Sequence, residues 1–127
     1  MKTKESVYTQ HEENTEWSNK LDFYKDEVRI LTGRLKEIAS KNTSAEAMVE
    51  TERFQNQLMI QENAINEIFH LIKNNEKILE KEVDKNPIAV DHRKIIYHTK
   101  EKDIIVSFEK NFNQLRSDFN RFAAKWM

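Results

Sequence analysis

Apolar residues recur along this chain every three or four positions, in three long runs. In the first, Trp17, Leu21, Tyr24, Val28, Leu31, Leu35 and Ile38 follow one another at spacings of 4, 3, 4, 3, 4 and 3. A helix turns once in about 3.6 residues, so this alternation draws one apolar seam along one face and predicts a helix over about residues 9–41. The second seam runs through Ala47, Thr51, Phe54, Leu58, Gln61, Ile65, Ile68, Ile72, Asn75 and Leu79, predicting a helix over about residues 44–85. The third, through Ile105, Phe108, Phe112, Leu115, Phe119, Phe122 and Trp126, predicts one over about residues 90–126. The aromatic residues crowding the third seam therefore read as core rather than as a ligand-gripping stripe.

The breaks between seams carry stop and start signals. Asn42 suits a left-handed helix cap, and Thr43 to Glu46 has the spacing of a capping box, in which Thr43 and Glu46 satisfy orphan amides of the next helix. Pro87 ends the second helix, because a residue before proline avoids helical geometry. The first connection is too short for anything but an antiparallel hairpin.

Hairpin pairing across the first break sets Ile38 beside Ala47, Leu31 beside Phe54 and Leu21 beside Ile65. Pairing across the second sets Ala47 beside Trp126, Phe54 beside Phe119 and Ile65 beside Phe108. The small seam residues Ala47 and Thr51 then face the bulky Trp126 and Phe122, as interdigitating helices require. The expected fold is all-α: a single-domain, elongated, antiparallel up-down-up three-helix bundle with coiled-coil-like heptad packing. Its topology is similar to that of a spectrin-type repeat, a likeness of architecture that no family motif accompanies.

Composition narrows the picture. The 127 residues include one glycine and one proline, where average usage would give roughly nine and six, so sheets and long loops lack their turn residues. Charged residues make up 34% and apolar residues 38%, mixed along the chain, as amphipathic helices with a narrow buried stripe require. The net charge of −1 supplies no field toward nucleic acid or an anionic membrane. Apolar runs such as Ile104-Ile105-Val106 are too short to span a bilayer, and the opening residues lack the apolar stretch of a secretory signal. Absent cysteine removes disulfides and thiolate chemistry, and a cytoplasmic protein is expected.

Candidate chemistry is sparse. Glu67 and His70 have the Glu-x-x-His spacing of di-iron bundles, but such sites need two pairs and two further glutamates facing the core. This pair is single and falls on the outer face, so neither a metal nor another cofactor is expected. No nucleophile motif or phosphate-cradling glycine loop occurs, and an enzyme is not expected.

Three other features stand out. Toward the second connection the seams turn polar, placing Gln10, Asn75 and His98 in one layer and Asn14, Ile72 and Glu101 in the next. Fraying of a wetted end is the simpler account; a polar layer that fixes register is the sharper one. Gln61, mid-seam, is expected to bond the Tyr24 hydroxyl. The segment around residues 92–102 carries Arg93, Lys94, Lys100 and Lys102 near a helix N-terminus, where positive charge opposes the macrodipole. Pairing with Glu76, Glu80 and Glu82 across the hairpin is its simplest use, and the surrounding acids argue against nucleic acid.

Four apolar residues lie off the seams at one height: Phe23, Ile30, Met59 and Ile60. Should they share one side, they mark a protein contact. Gly33, on an outer face, costs about 1 kcal/mol relative to alanine without revealing a use. The expected function is thus a non-enzymatic structural or protein–protein interaction module that binds a partner protein or itself. The alternative is a small binding protein using residues 92–102 for an anionic ligand or nucleic acid.

Overall fold

With a single glycine and a single proline available, little in this chain can stop a helix once begun. The computed structural model describes the backbone of residues 2–85 and 92–127, and the side chains of residues 8–81 and 100–127. Three helices account for nearly all of it: α1 (Lys2–Lys41), α2 (Ala45–Lys85) and α3 (His92–Trp126). All three pack against one another as an up-down-up bundle, and at 1.5 Å per residue α2 is roughly 60 Å long. α1 starts seven residues before the apolar seam predicts, because the polar residues preceding the seam contain nothing that breaks a helix.

The three seams meet. Trp17, Leu21, Val28, Leu31, Leu35 and Ile38 of α1 are buried with Phe54, Leu58, Ile65, Ile68 and Ile72 of α2 and the α3 aromatics. Phe54 stands edge-on to Phe119, 5.5 Å between ring centres, and 4.7 Å from Phe122. Tyr24 lies 5.3 Å from Phe108 and 4.8 Å from Phe112. These are the layers that hairpin pairing requires. Edge-to-face and offset pairs of this kind add about 0.5–1.5 kcal/mol each beyond the area they bury.

The first connection is built differently from a capping box. Ser44, not Thr43, caps α2: its Oγ accepts from the Ala47 amide at 3.2 Å. A cap at Ser44 puts Glu46 too early in the helix to reach back, and Glu46 instead accepts from Lys125 Nζ of α3 at 2.9 Å. Asn42 does not take the left-handed conformation, since no described residue has positive φ. Its side-chain amide does the capping, donating to Ile38 O and to Trp126 O, each at 2.9 Å.

Flanking charges close the α1/α3 side. Arg116 donates to both carboxylate oxygens of Glu27, at 2.8 and 2.6 Å, and its guanidinium lies 5.2 Å from the Phe112 ring centre. That bidentate bond raises the Arg116 pKa above its ordinary value. Lys20 pairs with Glu109 at 3.6 Å. The expected Gln61–Tyr24 bond is absent: the Tyr24 hydroxyl donates to Glu109 at 3.0 Å, and Gln61 Oε1 has no partner among the described residues. Gln61 turns toward the α2/α3 groove, away from Tyr24, and a carboxylate is the stronger acceptor. Burial, and then Glu109, raises the Tyr24 pKa.

Because Phe122, Ala123 and Trp126 belong to this shared core, deleting residues 122–127 should weaken the whole bundle. Loss of Phe122 alone should cost about 3–5 kcal/mol. Urea unfolding followed by circular dichroism and by fluorescence of the distant Trp17 should shift to lower denaturant together.

Candidate functional site

Two regions stand apart from the apolar core. The first is the polar end. Asn14 and Asn75 are each only 1% exposed, and Gln10 is buried beside them along α1. Asn14 Nδ2 donates to Asn75 Oδ1 at 2.8 Å and to Glu76 Oε1 at 2.8 Å. Glu76 Oε2 also engages the exposed His11 Nδ1 at 2.7 Å. These bonds join α1 to α2 through polar side chains where the seam runs out of apolar ones. The end is therefore helical, with Gln10, Asn14 and Asn75 buried and Asn14 hydrogen-bonded to Asn75 and Glu76, rather than frayed there. His98, the third residue expected in this layer, lies outside the described side chains.

Glu101 of α3 is 3% exposed. Removal from water penalises its charged form, and burial pushes its carboxyl up to about 7 from an ordinary 4.5. The folded state thus holds this proton more tightly than the unfolded chain does. Its stabilisation is complete below about pH 4.5 and is lost as pH rises through 7. Stability at this end therefore depends on pH.

The second region lies along the groove between α2 and α3. On α2 a further seam runs beside the core one: Ile60, Ala64, Leu71 and Ile78, the last three at heptad spacing. Ile60 is 61% exposed; Ala64 and Leu71 are half-buried, and Ile78 is exposed. Ile104 of α3, 44% exposed, lines the same groove with Ser107 and Asn111. The strict core seam passes over these positions. The signal was nonetheless present, because apolar residues at a third heptad position widen a helix face beyond what one core needs.

The other sequence candidates fall as follows. Phe23, Ile30, Met59 and Ile60 are all exposed, but they do not form one patch. Phe23 lines a groove with Lys20, Tyr24 and Glu109 on the α1/α3 side, with Ile30 one heptad along, whereas Ile60 lines the α2/α3 groove. Met59, adjacent to Ile60, points about 100° away from it around α2. Of the basic segment, Arg93 and Lys94 lie outside the described side chains. Lys100 and Lys102 are exposed, but two helical positions set them about 200° apart, so they do not converge on one ligand. Of the three facing acids, Glu76 bonds Asn14 and His11, Glu80 is exposed, and Glu82 lies outside the described side chains. Glu67 lines the α2/α3 groove and His70 is exposed. Gly33 has open space where a Cβ would stand.

No described helix is long and apolar enough to cross a membrane. No known family matches the chain, and neither a curated protein nor a solved structure is significantly similar to it.

Two outcomes follow from the polar end. Wild-type stability should fall by up to about 3 kcal/mol between pH 4.5 and pH 8, and Glu101→Gln should abolish most of that fall, as read by urea titrations at each pH. Asn14→Leu or Asn75→Leu alone strands a buried amide and should cost about 1–3 kcal/mol. The double variant should cost less than the two single costs added, as a double-mutant cycle would measure.

Proposed function

We propose that this chain is a non-enzymatic protein-interaction module that docks a partner along the α2/α3 groove. The observation that carries the reading is the additional apolar seam Ile60–Ala64–Leu71–Ile78, joined by Ile104, outside the core it adjoins. Exposed apolar surface in a continuous line, rimmed by polar side chains, costs solubility and is the surface a docking helix or protein covers. The α1/α3 side also exposes Phe23, but there the Lys20–Glu109 and Arg116–Glu27 pairs bridge the two helices with charge. A cytoplasmic setting suits a chain that has no cysteine and draws no stability from disulfides. The absence of any recognisable catalytic motif in the sequence supports the non-enzymatic part of the reading.

The competing account, an anion-binding end around residues 92–102, is weaker because Lys100 and Lys102 diverge around α3.

The groove reading is tested by placing a photoreactive amino acid at Ser107, in the groove, or at Arg29, on the outer side of α1. Irradiation of cells that make the protein should give protein adducts from position 107 and few from position 29. Equal yields from the two positions would contradict it.

A further inference from the structure

Nothing in the first connection obliges the chain to turn back. It consists of Asn42, Thr43 and Ser44, between the end of α1 at Lys41 and the start of α2 at Ala45. It holds no glycine and no proline, and no described residue has positive φ. All three of its residue types can sit inside a helix at modest cost. Running straight on would give the last carbonyls of α1 and the first amides of α2 the intrahelical partners that a break denies them. The Asn42 amide on Ile38 O and the Ser44 hydroxyl on the Ala47 amide replace only part of that set. A chain able to straighten here could exchange α1 with a second copy. Each half-bundle would then hold α1 of one chain against α2 and α3 of the other.

The constraint lies in the phase of the seams. Leu31, Leu35 and Ile38 are buried on one face of α1, and Ala47, Phe54 and Leu58 on one face of α2. From Ile38 to Ala47 the chain advances nine residues, or about two and a half helical turns. In one continuous helix the two seams would therefore lie on opposite sides. A second copy laid antiparallel along that helix, about a two-fold axis at the connection, needs both seams on the same side. It could cover one and would leave the other in water. In the hairpin, the three-residue break frees α2 to rotate about its own axis. Both seams then face inward, and the match persists to the far end in the Asn14–Asn75 bond.

We propose that this half-turn of phase, rather than the turn residues, makes α1 and α2 fold back within one chain and bars exchange of α1 between chains.

Three variants of the full chain test this, with sedimentation equilibrium for mass, small-angle X-ray scattering for length and circular dichroism for helix content. Asn42→Ala, Thr43→Ala and Ser44→Ala combined favour a continuous helix but keep the nine-residue step. This variant should unfold at lower urea, yet keep the 15.2 kDa mass and a length of roughly 60 Å. Deleting Thr43 and Ser44 shortens the step to seven residues, about two full turns, and sets the seams in phase. It should convert the protein to a dimer of twice that mass and roughly 120 Å long. Deleting Asn42 through Ala45 also removes the connection but leaves a step of five residues, about 1.4 turns, and should give no such dimer. An elongated dimer from the alanine variant or from the five-residue step overturns the proposal. So does a seven-residue step that fails to give one.

Discussion

At the first connection one asparagine ties the end of α1 to the end of α3, beside the cap that starts α2. The Asn42 amide bonds the last turn of α1 through Ile38 O and the end of α3 through Trp126 O, while Ser44, two residues on, caps the start of α2. Side chains on a helix repeat with a fixed period, so setting the axial position of the helices at one end sets every layer along the rod. Phe54 against Phe119, Tyr24 against Phe112 and Asn14 against Asn75 are consequences of that single alignment. The Lys125–Glu46 pair and the Trp126 indole bond to Glu50 brace the same end.

At the other end the bundle uses a different device. Leucine and phenylalanine layers tolerate slippage by a turn, because one apolar residue replaces another at little cost. Asn14 and Asn75 do not, since a shift would strand two buried amides. The polar layer therefore contributes less stability than an apolar one would and more specificity, as a buried asparagine does in a heptad seam. Glu101, whose carboxyl burial pushes up to about 7, belongs to the same end and makes that end responsive to proton concentration.

Helix type, number, order and layer pairing were legible in the sequence because each rests on a strong periodic signal. The aromatic residues of α3 were legible as core for the same reason. What escaped was set by side-chain geometry. Thr43 and Ser44 are equally good caps by composition, and one residue decides whether Glu46 faces its own helix or Lys125. Tyr24 chose Glu109 over Gln61 because a charged acceptor on the nearer flank outcompetes a neutral one. The off-seam residues Phe23 and Ile60 share a height but not a side, and height is all that register supplies. The groove seam at Ala64, Leu71 and Ile78 was hidden by its regularity, since it runs parallel to the core seam and passes for its margin.

One register extends from Asn42 to the Asn14–Asn75 layer, so that the bundle opens as a unit. Native-state hydrogen exchange measures this directly. Amides of residues 10–17 and 72–79 should exchange with the same opening free energy as those of residues 28–35 and 54–61. Fast exchange at the polar end, beside a protected apolar half, would show that Asn14 and Asn75 hold nothing in register and would contradict the account.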